Sequence, residues 1–102
     1  MCIVTEIVVM KTAGYIPKDE FITIVDGLEN NFHSKQPGFI DTELLYNDKT
    51  DEWMIIQHWA SMDELKAASK KMFQDAAAEP FVKSLDPESV KMTMLPQLKQ
   101  WQ

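Results

Sequence analysis

The side chains of this 102-residue chain able to do chemistry are few: two histidines, one cysteine, three tryptophans and some carboxylates set among apolar residues. His58 is the first candidate. Imidazole titrates near neutrality and can take a proton from an acidic phenol or enol. It can equally be a sheet histidine held by a neighbour. Gln57 beside it offers an amide donor. Trp53, Ile55, Gln57 and Trp59 alternate along one run and so share a face, with His58 on the opposite one. Aromatic walls of this kind suit a flat apolar molecule. They also suit a subunit core. His33 stands near the end of a helical stretch, where a cation is favoured without any function. Glu6 is a carboxylate among apolar residues. On a buried face its pKa would rise and make it a proton acceptor; otherwise it is an ion-paired or edge residue. Cys2 has no evident base partner. No HxxxH or CxxC spacing is present, so no metal site is expected.

These residues need elements to position them. Ile3 to Lys11 is rich in Ile and Val and predicts a strand. Pro17 opens a helix with Asp19 and Glu20 in its first turn. Phe21, Ile24, Val25, Leu28 and Phe32 recur at three and four, one face of that helix, and Pro37-Gly38 stops it. Phe39 to Tyr46 and Glu52 to Trp59 predict two strands joined by the polar turn Asn47 to Asp51. Ser61 and Glu64 have capping-box spacing and start a second helix, with Leu65, Ala68, Met72 and Phe73 apolar. Asp75 to Ala78 prolongs or interrupts it, and Pro80 opens a further turn with Phe81, Val82 and Leu85. Val90 to Leu95 predicts the last strand, followed by a tail carrying Trp101.

The order β-α-β-β-α-β predicts a ferredoxin-like α+β domain. One domain spans residues 1–102. Both helices cover one face of a four-stranded antiparallel sheet. Both faces are mainly apolar: Ile3, Thr5, Ile7 and Val9 oppose Val4, Glu6, Val8 and Met10 on strand one, and Trp53, Ile55, Gln57 and Trp59 oppose Met54, Ile56 and His58 on strand three. A half-solvated sheet would alternate polar with apolar. The expectation is therefore a homodimer, a second copy burying the open face and Trp101 reaching across it. Asp41 and Glu43 share a face of strand two and are expected in solvent at the sheet edge.

Composition narrows the function. The charged fraction is 25% and the hydrophobic fraction 45%, values of a folded globule. A net charge of −6, without a basic stripe, repels phosphate backbones, so nucleic acid is not an expected partner. The seven methionines read as core filler or as an adaptable binding surface. One cysteine permits no internal disulfide. No apolar window approaches a membrane span, and the first residues lack a secretory leader. The expected setting is cytoplasmic.

Pro37-Gly38-Phe39, the hairpin, and the run His58-Trp59-Ala60-Ser61-Met62-Asp63-Glu64-Leu65 resemble the antibiotic biosynthesis monooxygenase (ABM) superfamily. The resemblance covers nearly the whole chain in element order and spacing. It implies a dimeric α+β barrel with an apolar cavity between each sheet and its helices or partner. Some members oxidise aromatic polyketides with molecular oxygen and neither metal nor flavin; others degrade haem, isomerise, or oxidise quinols. Trp59 matches the family's tryptophan at the end of strand three, which lines the cavity in several members. The haem-degrading branch carries an Asn on strand one and an iron-ligating His on helix two. Cys2 to Lys11 holds no Asn and Ser61 to Leu85 no His, a departure that points away from haem. The resemblance then implies a cofactor-independent monooxygenase acting on a small aromatic or quinol-like molecule, with Trp59 lining its cavity; the shared strand face adds Trp53 and Ile55 as binding residues, and side-chain chemistry adds Gln57 or His58 as polar partners. A non-catalytic dimer that binds a small apolar molecule through the same aromatic face is the alternative.

Overall fold

The computed structural model describes residues 2–102. Strand β1 (Val4–Met10) leads into helix α1 (Lys18–Asn31). Strands β2 (Phe39–Asn47) and β3 (Glu52–Trp59) form the hairpin. Helix α2 (Met62–Met72), a 3-10 turn at Ala76–Ala78 and helix α3 (Glu79–Ser84) follow, and β4 (Lys91–Pro96) closes the sheet. The chain is thus α+β with ferredoxin-like element order. The sheet is antiparallel throughout, in the order β2-β3-β1-β4.

Local chemistry accounts for the helix boundaries. Asp19 and Glu20 meet the positive end of α1, and no side chain caps it. Phe21, Val25 and Leu28 form its buried stripe, continued by Phe32 beyond its end. At α2 the predicted capping box forms. Ser61 Oγ accepts from the Glu64 N–H at 3.2 Å and donates to Glu64 Oε1 at 3.0 Å. The stretch Asp75–Ala78 interrupts the helical segment, with Asp75 accepting from the Ala77 N–H. α2 and α3 are therefore two short pieces.

Alternation fixes the two faces of the sheet. Trp53, Ile55, Gln57 and Trp59 of β3, with Val4, Glu6, Val8 and Met10 of β1, point toward the helices. One core cluster gathers Met10, Phe21, Val25, Leu28, Phe32, Trp53, Ile55 and Phe81. A second gathers Val4, Trp59, Leu65 and Ala68. The opposite face carries Ile7, Val9, Met54 and Ile56 half-buried, with Leu45 and Leu95 exposed. No helix among the described residues covers it. Asp41 and Glu43 stand exposed on the edge strand β2, as expected. No helix among the described residues is long and apolar enough to cross a membrane.

Candidate functional site

Between the two core clusters the packing leaves a cavity of about 260 Å³. Its floor is the sheet: Glu6 and Val8, Ile55, Gln57 and Trp59, and Met92. Its walls and roof are Leu28 and His33 on one side and side chains of α2 and α3 on the other. The lining is apolar except for Ser69 and three groups that can handle a proton or a hydrogen bond: Glu6, His33 and Gln57.

Glu6 and Gln57 are direct partners across β1 and β3 and project side by side. Gln57 is 2% exposed. An indole can only donate, so the bond from Trp59 Nε1 to Gln57 Oε1 at 3.1 Å sets which end of the amide faces which way. The amide nitrogen then points to Thr42 Oγ1 at 3.0 Å and Glu29 Oε1 at 3.4 Å. Thr42 also donates to Glu29 Oε1. The other Glu29 oxygen takes His33 Nδ1 at 2.5 Å. His33 Nδ1 lies 3.2 Å from the Gln57 amide nitrogen as well. One N–H serves one of these contacts, and the carboxylate is the only acceptor of the two. This assigns the Nδ1 proton to the Glu29 bond.

The His33 ring is held by aromatics. Phe39 stacks on it at 5.9 Å, and Trp59 meets it edge-on at 6.0 Å. His33 is 7% exposed. His33, expected only as a residue suited to a helix end, is therefore buried. Phe32 ends α1, and the chain turns into a 3-10 segment that folds His33 inward one turn after Glu29.

Glu6 differs from its neighbours. It is 6% exposed and makes no hydrogen bond or ion pair among the described residues. No sealed side-chain oxygen or nitrogen there lacks a partner, so its carboxylate opens onto the cavity. Burial holds its pKa above the ordinary value. His33 opposes that shift and the Glu29 carboxylate adds to it.

The structure brings Ile55, Gln57 and Trp59 together at the cavity. It does not bring Trp53 or His58. Trp53 packs in the core between Phe21 at 4.5 Å and Tyr46 at 4.6 Å, away from the lining. His58 points to the opposite sheet face because successive strand side chains alternate. There its Nδ1 pairs with Asp41 Oδ1 at 2.6 Å, with both groups substantially exposed. Glu6, weighed as a possible proton acceptor, and His33, explained by its helix end, are the titratable groups that line the cavity. Glu6's alternation with Val4 and Val8 was the available signal. For His33 the i to i+4 pairing with Glu29 was the signal. The described residues hold no cluster of three or more His, Cys, Asp or Glu suited to a metal ion.

The sequence profile of the antibiotic biosynthesis monooxygenase family matches residues 14–79. The chain belongs to this family. That stretch holds the Pro37-Gly38-Phe39 turn, Glu29, His33, Gln57 and Trp59, the ABM frame around the cavity. No curated protein matches the sequence. Solved structures share the fold at low identity. SnoaB, a cofactor-independent oxygenase from Streptomyces nogalater, is 19% identical, with TM-score 0.65 over all of this chain and 97% of its own. Rv0793 from Mycobacterium tuberculosis is 14% identical, with TM-score 0.69 over 96% of this chain and 97% of its own. A Caulobacter crescentus protein assigned to the same ABM family is 16% identical, with TM-score 0.75 over 96% and 92%.

Proposed function

We propose that this ABM protein is a cofactor-independent oxygenase that ionises a small, largely apolar molecule in the cavity between sheet and helices and lets molecular oxygen react with the anion. The observation that carries this is the Glu6 carboxylate. It opens, without a protein partner, onto a space whose walls are otherwise nearly all apolar. A carboxylate there is poorly solvated and less acidic than usual, which makes it a stronger base toward a bound C–H or O–H. Gln57 and Trp59 hold the ligand edge and Ile55 its face. A dry cavity of 150 Å³ accepts benzene, so about 260 Å³ fits roughly one ring or two fused rings.

Family membership supports oxygen chemistry, and SnoaB is an oxygenase that uses no cofactor. In such a reaction the substrate supplies all the electrons. A CH₂ group flanked by activating rings or carbonyls becomes C=O, one oxygen atom enters the carbonyl, and the other leaves as water. The carbon gives up four electrons and O₂ takes them. Glu6 removes the first proton. We further propose that a second copy of the chain covers the open sheet face, because its centre is apolar and no helix of this chain lies on it.

The test is oxygen uptake with a panel of one- and two-ring phenols and activated CH₂ ketones, with no cofactor added. Uptake by the native protein is expected with at least one of them, and the Glu6→Gln variant should be slower by roughly 10²–10⁴-fold. Saturable binding of panel members with no uptake for any would make the protein a binding module instead.

A further inference from the structure

The conversion of CH₂ to C=O passes through a peroxide. Carbanion and O₂ give a peroxide anion, which takes back the proton that Glu6 removed, becoming R₂CH–O–OH and leaving Glu6 ionised again. Its collapse breaks a C–H bond and the O–O bond together. The carbon's proton goes to a base, the C–H electron pair forms the carbonyl, and the outer oxygen leaves with the O–O pair. That oxygen needs a proton to leave as water. One proton is taken and one is given, at two places on the same bound molecule. Glu6 supplies one of the two proton-handling groups. The cavity contains another.

His33 is fixed on three sides. Glu29 takes its Nδ1 proton, Phe39 stacks on its face, and Trp59 abuts its edge. Glu29 is itself gripped by Thr42 and by the Gln57 amide. The remaining ring nitrogen, Nε2, has no hydrogen-bond partner among the described residues, and no sealed side-chain nitrogen there goes unpartnered. His33 is 7% exposed and lines the cavity that Glu6 lines. Nε2 is therefore not sealed, and its ring lines the same space as Glu6. A carboxylate that orients one imidazole nitrogen so that the other faces the reacting atoms is a recurrent device for moving protons.

We propose that His33, aimed by Glu29, is the second catalytic residue of this cavity: as the imidazolium, with Nδ1–H held on Glu29, it gives its Nε2 proton to the oxygen that departs as the peroxide collapses. Glu29 is its positioning residue. The assignment rests on the oxygenase reading above and adds the residue that completes the reaction. Glu6 and His33 divide the work: a base at carbon and an acid at oxygen, the two protons being equalised through solvent after product leaves.

The experiment separates formation of the peroxide from its breakdown. With a substrate that the native protein oxygenates, oxygen uptake, carbonyl product and titratable organic peroxide are followed together for native protein, His33→Gln and Glu29→Gln. The His33→Gln variant is expected to keep oxygen uptake within about threefold of native. Its carbonyl formation should slow by roughly 10²-fold, with organic peroxide accumulating in proportion to the oxygen consumed. Glu29→Gln should show the same pattern more weakly. Nitrogen NMR of the imidazole should show Nδ1 of His33 protonated in the native protein and a mixture of tautomers in Glu29→Gln. Uptake and product falling together in His33→Gln would mean a structural role and overturn the proposal. So would native kinetics in that variant, or an unprotonated Nδ1 in the native protein. If the native protein takes up no oxygen with any of the panel, the oxygenase reading itself fails. Activity in the native protein with no peroxide build-up in His33→Gln removes only the role given to His33.

Discussion

Glu6 sits where its charge is least welcome and its basicity most useful. Its folded pKa lies above the ordinary value of 4.5, chiefly through burial. The sign follows from linkage: the native state holds this proton more tightly than the unfolded chain does. The favourable contribution is complete below about 4.5 and is lost as pH rises through the folded value. Glu6→Gln removes the penalty of a buried charge. Thermal melts should therefore show the variant more stable than native protein near pH 8, with the gain vanishing near pH 4. A variant less stable at both pH values would mean that the carboxylate is satisfied by contacts that Gln cannot replace. Activity should move the other way. Only the ionised carboxylate accepts a proton, so native turnover rises as pH climbs through the Glu6 value, while Glu6→Gln stays low throughout. The same residue shows how far spacing alone can go. Alternation placed Glu6 on a face with Val4 and Val8, but whether that face met helix, solvent or partner decided its role. His33 was harder still, because its inward turn depends on where α1 ends. His58 drew attention by chemistry alone, and the alternation that set it against Trp59 was the better guide.

At the scale of elements, the turn before β2 and the start of α2 are one joint. Gly38 has φ of +84°, a conformation that favours glycine. Its carbonyl accepts from the Ala60 N–H at 2.7 Å, tying the turn to the end of β3. A Cβ at Gly38 would lie 2.5 Å from the Glu64 carboxyl carbon and 2.8 Å from its Cβ. Glu64 is the residue that completes the cap with Ser61. The short motifs that resemble the ABM family thus meet in space: the Pro-Gly turn, the strand ending at Trp59, and the Ser-x-x-Glu cap. Phe39, directly after the glycine, stacks on His33. Gly38→Ala should cost about 1–3 kcal/mol, combining the left-handed backbone with a displaced cap. Gly14→Ala, which meets nothing within 4 Å, is the control and should fall within about 0.5 kcal/mol of native. Urea unfolding of both variants reads the difference; equal stabilities would mean that Glu64 swings aside freely. These elements were legible because each carries a local signal. The break between α2 and α3 was half legible, since Asp75 can cap a new turn but an alanine run can also continue a helix. The cavity was expected from the family resemblance alone, and no local signal gave its lining. It is a gap between clusters whose size depends on how α2 and α3 settle over the sheet.

At the scale of the molecule, the sheet has one face too many. Ile7 and Ile56 pair across β1 and β3 at the centre of the uncovered side, flanked by Val9, Met54 and the more exposed Leu45 and Leu95. Each such side chain removed from water is worth about 1.5–3 kcal/mol, so a handful of them offsets the cost of association. Charge frames this patch without crossing it. Asp41, Glu43 and His58 lie toward the β2 edge, and Lys91 lies at the β4 edge. The net charge of −6 disfavours indiscriminate self-association, whereas two copies meeting on this patch would bury its apolar centre and leave its charged border wet. The tail leaves β4 with the large apolar side chains of Leu98 and Trp101 exposed, 95% and 76%. Sedimentation velocity at micromolar concentration should find two copies per particle. Ile56→Lys, which puts a charge at the centre of the face at a residue that does not itself line the cavity, should give a folded single copy with an unchanged far-ultraviolet spectrum. Truncation before Leu98 should weaken association less, because the tail adds to an interface whose centre is the sheet. A native protein that sediments as one copy would leave the open face to some other cover.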